Sequence, residues 1–239
     1  LETTALGFVA GFTGKAIEDG LAAQGIHTDF IHLPEGNSRI NVKVKHGDET
    51  EINGQGPVIT EEAINELFAK LDTLTKEDIL VLAGSIPNTL PEDIYEKILA
   101  SLESKGIRVV VDATKDLLLN VLKYHPFLIK PNNHELGEMF GTVCKTDEDI
   151  VHYAKKLQEK GAVNVLISMA GDGAILITED GQNIKMGTPK GKVVNSVGAG
   201  DSMVAGFITG YIRGGNYEEA LKSGTAAGSA TAFSEGLAS

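Results

Sequence analysis

The sequence predicts an α/β fold: a doubly wound, mostly parallel sheet flanked by helices, with a small β-sheet lid. Two patterns point there. Short runs that are apolar throughout alternate with amphipathic helical stretches, whereas residues 28–55 alternate polar and apolar side chains. The first pattern suits parallel strands covered on both faces, the second an antiparallel hairpin with one wet face.

The apolar runs are Ile79-Leu80-Val81-Leu82, Val109-Val110-Val111, Phe127-Leu128-Ile129 and Val165-Leu166-Ile167. Helical patterns cover residues 60–71, 91–104 and 146–159. Thr60 is placed to cap the first, with Glu61 and Glu62 in the turn where the helix dipole favours negative charge. Pro91 suits the first position of the second. Thr146 opens the third, and Gly161 follows its end. Strand–helix–strand repetition implies right-handed crossovers in a doubly wound sheet. In the hairpin, Arg39 to Val44 forms one strand, Gly47-Asp48 the turn, and Glu49 to Asn53 the return. Residues 1–239 read as one domain with this hairpin inserted as its lid; no linker, repeat or low-complexity tract interrupts them.

Bulk properties exclude several classes. The formal charge is −12, from 21 basic and 33 acidic side chains. Such a surface repels nucleic acid and anionic lipid, so neither is an expected partner, and an anionic substrate needs a local cationic pocket. Cys144 is the one cysteine, so no intrachain disulfide exists. That fits a reducing, cytoplasmic setting, and Cys144 reads as a small packing residue because no local feature would lower its pKa. No apolar run reaches the roughly 18 residues that span a bilayer. The chain opens Leu1-Glu2-Thr3-Thr4, like the start of an internal strand, and is expected to be truncated there.

Four constellations carry chemistry. Val197-Gly198-Ala199-Gly200-Asp201-Ser202 precedes a helical stretch at 203–212. Small residues admit a ligand close to the backbone, and the free N–H groups of a helix start favour an anion. A carboxylate beside a phosphate makes sense as the acceptor of a proton from an attacking hydroxyl; the alternative is that Asp201 caps the helix. A dinucleotide fingerprint is excluded by Met203, and no Walker A sequence occurs. Asn132 and Glu135 follow Lys130-Pro131 at the end of a strand, three apart and on one helical face. They suit Mg²⁺ held partly through water, or else a helix cap. The loop Ser168-Met169-Ala170-Gly171-Asp172-Gly173 follows another strand; in isolation a hairpin turn is the better reading, a phosphate cradle the second. Arg39, Asn41 and Lys43 share one strand face. They suit a phosphorylated sugar, or a charged solvated edge. Ser85, after Gly84 at a strand end, reads equally as a sugar contact or a turn residue.

Together these segments resemble the ribokinase-like superfamily of carbohydrate kinases, the PfkB family, over essentially the whole chain. Residues 197–202 match its C-terminal motif, Asn132-x-x-Glu135 its magnesium and phosphate motif, and 168–173 its nucleotide loop. Arg39-Ile40-Asn41-Val42-Lys43 and Asn53-Gly54-Gln55-Gly56-Pro57 are typical of its phosphosugar branch. The resemblance implies a ribokinase-like fold and an ATP-dependent kinase acting on a ketose phosphate. Fructose 1-phosphate, converted to the 1,6-bisphosphate, is the first expectation and tagatose 6-phosphate the second; a non-catalytic phosphosugar or nucleotide sensor is the alternative. It implies that Asp201 is the base and that the N–H groups of Gly198, Ala199 and Gly200 hold the developing charge. It also implies that Arg39 and Lys43 grip the phosphate already on the sugar. Lys130, Asn132, Ser168, Gly171 and Gly173 would line the ATP site, with Thr225 and Ser229 at the adenine; close helix packing is the other reading for that small-residue stretch. Glu135 with Asn132 would organise Mg²⁺. K⁺ would bind near Thr231, Ser234 and Gly236, and relatives pair through their lid strands into dimers. The family's first strand, with its sugar-binding aspartate, and its Gly-Gly-Lys-Gly-type loop have no counterpart in these residues, so the chain is expected to be a fragment.

Overall fold

The computed structural model describes residues 1–46, 48–84 and 86–238, with the backbone alone at Lys43, Lys45, His46, Asp48–Glu51 and Lys115. The chain divides into two compact units: Leu1–Thr75 with Ile86–Leu102, and Lys76–Ser85 with Glu103–Ser239.

In the first unit β1 (Thr4–Ala5) pairs in parallel with β3 (His27–Thr28), and β2 (Phe8–Ala10) with β4 (Ile31–Leu33), around α1 (Gly11–Ala23). The polar–apolar region forms the expected hairpin: β5 (Asn41–His46) runs antiparallel to β6 (Asp48–Asn53), from Asn41 opposite Asn53 to His46 opposite Asp48. The strand starts two residues later than the alternation implies, so Arg39 precedes it. Gly47 of the expected turn lies outside the described residues. Helix α2 (Glu61–Asp72) is capped as read, Ala63 N–H donating to Thr60 Oγ1 at 3.3 Å, and it buries Ala63, Leu67 and Leu71. Helix α3 (Ile94–Leu102) begins three residues after Pro91, because Ile94 N–H first closes a turn onto the Pro91 carbonyl.

The second unit is built on a six-stranded sheet. Its strands are β7 (Ile79–Ala83), β8 (Arg108–Asp112), β9 (Leu128–Ile129), β10 (Asn164–Ser168), β11 (Ala174–Ile177) and β12 (Asn183–Met186). They lie in the order β12-β11-β10-β9-β8-β7. From β7 to β10 neighbours are parallel; β11 and β12 return antiparallel at one edge. All four apolar runs are strands of this sheet. The other elements are α4 (Lys115–Val121), α5 (Asn133–Met139), α6 (Asp147–Glu159), α7 (Ala199–Gly214) and α8 (Tyr217–Ala232).

Alternation decides which strand residues meet which helices. Val110, Leu128, Leu166 and Leu176 point to one face, where they form a core with Met203, Val204 and Phe207 of α7 and Ala220 and Leu221 of α8. Val165 and Ile167 point the other way and are fully buried, and α6 packs on β10 and β11. Thr146 caps α6 by a capping box with Asp149. Helices α7 and α8 touch backbone to backbone: a Cβ at Gly206 would stand 2.6 Å from the Ser223 carbonyl oxygen and 2.7 Å from Ala227 Cβ. Among the described residues no helix is long and apolar enough to cross a membrane.

Candidate active site

The site grows from the face that carries the α7–α8 core. Two residues beyond Val110, Leu128 and Leu166 stand Asp112, Lys130 and Ser168, at the carboxyl ends of β8, β9 and β10. Ligands bind open α/β sheets at these ends. The same alternation that buries the apolar members therefore presents polar residues toward the start of α7.

That start is the small-residue turn. Gly198 is the N-cap residue, in the left-handed region at φ 79°, and Ala199 opens the helix. Asp201 is thus the third helical residue and does not cap. Its carboxylate is exposed and has no hydrogen-bond partner among the described residues, so the capping alternative fails. The Ala199 N–H bonds to the Ser196 carbonyl at 3.2 Å, while those of Gly198, Gly200 and Asp201 bond to none of the described residues. Of the three N–H groups read as the charge-holding cradle, Ala199 is therefore already engaged within the turn, and the Asp201 N–H stands where the helix dipole is positive.

Lys130 reaches this turn from β9. It is 7% exposed, and a Cβ at Gly200 would stand 3.1 Å from its Nζ and 3.6 Å from its Cε. Gly200 is small because an ammonium lies against it. Asp112 Oδ1 is 3.3 Å from the same Nζ. Sequence reading missed Asp112. Its signal was a lone acid closing the apolar run Arg108–Asp112, at the strand end where sites form; only the register, Val110 opposite Leu128 and Val111 opposite Ile129, brings it beside Lys130. Burial pushes the Asp112 carboxyl above its usual range. The Lys130 ammonium pulls it down, and the charges of Asp201 and Glu135 push it further up. The buried cation is thus paired with Asp112.

Asn132 and Glu135 form the cap at the start of α5. Asn132 Oδ1 accepts from the N–H groups of His134 and Glu135, each at 2.9 Å, and Glu135 Oε2 accepts from Asn132 N–H at 2.7 Å. Both acceptor directions of the amide oxygen are occupied by these cap hydrogen bonds. Glu135 keeps one carboxylate oxygen.

The loop after β10 is a hairpin turn: Ser168 pairs with Ala174, and Met169 N–H donates to the Gly173 carbonyl at 2.8 Å. Gly173 has φ 93°, and a Cβ there would meet the Met186 carbonyl oxygen, so the turn requires glycine. Gly171 is exposed with open space around it. Asn132 and Ser168 form a parallel bridge, which joins this loop to the α5 cap. Thr225 and Ser229 are buried, and the Thr225 hydroxyl donates to the Leu221 carbonyl of its own helix; their surroundings are those of close helix packing. The segment read as a K⁺ site folds back on residues 194–198. Thr231 Oγ1 meets Ser202 Oγ at 2.8 Å and accepts from Ala238 N–H, and Asn195 Nδ2 donates to the Glu235 carbonyl. Arg39 and Lys43 lie in the first unit, Arg39 exposed. Ser85 lies outside the described residues.

The donor set suits a polyphosphate: helix-start N–H groups, an ammonium and a glycine that leaves room. Among the described residues no cluster of three or more His, Cys, Asp or Glu side chains forms a metal cage. Magnesium does not need one, since it binds through one or two carboxylates, water and phosphate oxygens. Glu135 supplies a carboxylate at that place, so the residues fit the ion.

An exposed carboxylate in the first turn of a helix, with unbonded N–H groups and a buried lysine at the strand ends of an α/β sheet, is an arrangement that suits phosphoryl transfer. The chain belongs to the pfkB family of carbohydrate kinases, which it matches over residues 1–239. It is 52% identical over 233 residues to a Bacillus subtilis protein named 1-phosphofructokinase, covering 98% of this chain and 76% of that one. It is 40% identical to a D-tagatose-1-phosphate kinase of Bacillus licheniformis, covering 99% and 78%. Among solved structures, phosphofructokinase-2 from Escherichia coli in complex with potassium is similar at a TM-score of 0.89 and 26% identity, over 99% of this chain and 78% of that one.

Proposed function

We propose that this chain transfers the γ-phosphoryl group of ATP to the 6-hydroxyl of fructose 1-phosphate, giving fructose 1,6-bisphosphate. The observation that carries the reading is Asp201: an unpartnered carboxylate in the first turn of α7, beside the Gly200–Lys130 contact. Likeness to the 1-phosphofructokinase of Bacillus subtilis supports the substrate. The second relative is named for tagatose 1-phosphate. Both names put the phosphate on carbon 1, and the two sugars differ in configuration at carbon 4. Tagatose 1-phosphate is therefore the favoured second substrate, ahead of tagatose 6-phosphate.

In this reading Asp201 accepts the proton of the 6-hydroxyl as the bond from O6 to phosphorus forms and the bond to the β,γ-bridging oxygen breaks. The transition state is loose, so positioning and charge stabilisation do most of the work. The N–H groups of Gly198, Gly200 and Asp201 and the Lys130 ammonium hold the oxygens of the moving group. The Ala199 N–H joins them if it leaves Ser196. Glu135 would hold magnesium, which would neutralise phosphate charge. Arg39 and Lys43 grip the phosphate already on the sugar, the loop 168–173 takes the nucleotide, and the carbonyls near Thr231, Ser234 and Gly236 suit K⁺. Residues 1–239 act as one kinase domain in the cytoplasm. The exposed Val42, Val44 and Ile52 of the hairpin suit pairing with a second copy.

The test is ADP release by the full-length protein with fructose 1-phosphate, tagatose 1-phosphate, tagatose 6-phosphate and fructose 6-phosphate. The highest kcat/KM is expected with fructose 1-phosphate. Preference for a 6-phosphate overturns the substrate, and no release with any of the four leaves a sensor on the same fold.

A further inference from the structure

We propose that Asp112 is a positioning residue for phosphoryl transfer: its carboxylate fixes the Lys130 ammonium against the first turn of α7 at Gly200. The inference rests on the kinase reading above and adds to it a residue outside the motifs of the family resemblance.

Three observations carry it. Asp112 and Lys130 are neighbours by strand register, the pair that follows Val111 and Ile129 on parallel strands. Their side chains are 19% and 8% exposed, with Oδ1 to Nζ at 3.3 Å. Water therefore contributes little to holding the ammonium, and a flexible four-carbon stem has no direction of its own. On its other side the ammonium abuts Gly200. The ammonium is thus held between a carboxylate and a helix start. That place is the mouth of the N–H cradle, where negative charge develops during transfer. A donor already aimed there requires no reorganisation as the charge moves.

The arrangement has an electrostatic cost that the free protein bears. Asp112 lies within the influence of Asp201 and Glu135, and burial disfavours its charge. A carboxylate kept there despite both is consistent with a partner that must stay charged and in place.

The experiment is a double-mutant cycle in the full-length protein: wild type, Asp112→Asn, Lys130→Met and the double variant, assayed with ATP and fructose 1-phosphate. Asparagine keeps an acceptor for the ammonium and removes the charge. For Asp112→Asn, kcat is expected to fall about ten- to a hundredfold, the range seen when a group that orients another is lost. KM for ATP should not rise, since one negative charge near the phosphates is gone. In the Lys130→Met background, adding Asp112→Asn should change kcat by less than about twofold, because residues acting as a unit are non-additive. ADP should raise the thermal midpoint of Asp112→Asn as much as that of wild type, which separates a misplaced ammonium from a damaged fold. Additive losses overturn the assignment. So does a loss that extra Mg²⁺ repairs, which would make Asp112 a cation ligand. An active wild type with an equally active Asp112→Asn overturns this inference alone; an inactive wild type overturns the kinase reading and this with it.

Discussion

A Cβ placed on Gly200 would stand 3.1 Å from the ammonium nitrogen of Lys130. The two residues belong to different elements, the start of α7 and the end of β9, and their contact sets a buried cation against a helix start. Gly200→Ala follows directly. Its backbone is helical, where alanine is favoured over glycine by up to about 1 kcal/mol, so the fold should hold or gain. The lysine must yield by a few tenths of an ångström and the cradle loses its room. Turnover is expected to drop at least about tenfold with an unchanged or higher thermal midpoint, a divergence that paired kcat and melting measurements would detect.

Asp201→Asn separates chemistry from structure more sharply. The carboxylate makes no hydrogen bond among the described residues, so its loss costs the fold no more than a first-turn charge, under about 1 kcal/mol. As the proton acceptor, its loss should lower kcat at least about a hundredfold with little change in ATP affinity. Near-normal turnover in the folded variant would remove Asp201 from the mechanism.

Asn132 and Glu135 can be told apart by their dependence on magnesium. Asn132→Asp keeps a good cap and should leave the Mg²⁺ concentration for half-maximal rate unchanged. Asn132→Ala should lose about 1 kcal/mol of stability, again without moving that concentration. Glu135→Gln should raise it. A Mg²⁺ titration of the rate decides, and a shift in Asn132→Asp would return the amide to the metal.

Asp149 provides a test of pH and sign. Hydrogen bonds from the backbone N–H groups of Lys145 and Thr146 hold its carboxyl below the ordinary value of 3.8. A folded value below the unfolded one means the stabilisation is present above the unfolded pKa and is lost as pH falls through the folded one. Asp149→Asn should therefore melt lower than wild type near neutrality. The gap should close as pH drops below about 3.8, as seen in melting curves across that range. A gap independent of pH would assign the effect to the cap's geometry alone.

Much of this architecture was legible in the residues. The runs 79–82, 109–111, 127–129 and 165–167 announced buried strands because a strand covered on both faces has no polar side to show. Thr60 and Thr146 announced helix starts because an unpaired N–H needs an acceptor nearby in the chain. The helix start after Gly198 and the place of Asp201 in its first turn were legible for the same reason: both are local. What lay beyond reading was everything decided between elements. Asn132 looked equally like a ligand and a cap until its two hydrogen bonds were in place. Thr225 gave no sign in the chain of how deeply it is buried. Asp112 attracted no notice, because nothing near it in the chain is its partner. Only the pairing of β8 with β9 sets it beside Lys130, and only the packing of α7 on that sheet face sets Lys130 against Gly200. Local propensity reaches a few residues along the backbone, whereas strand register and helix packing bring together residues that no sequence spacing relates.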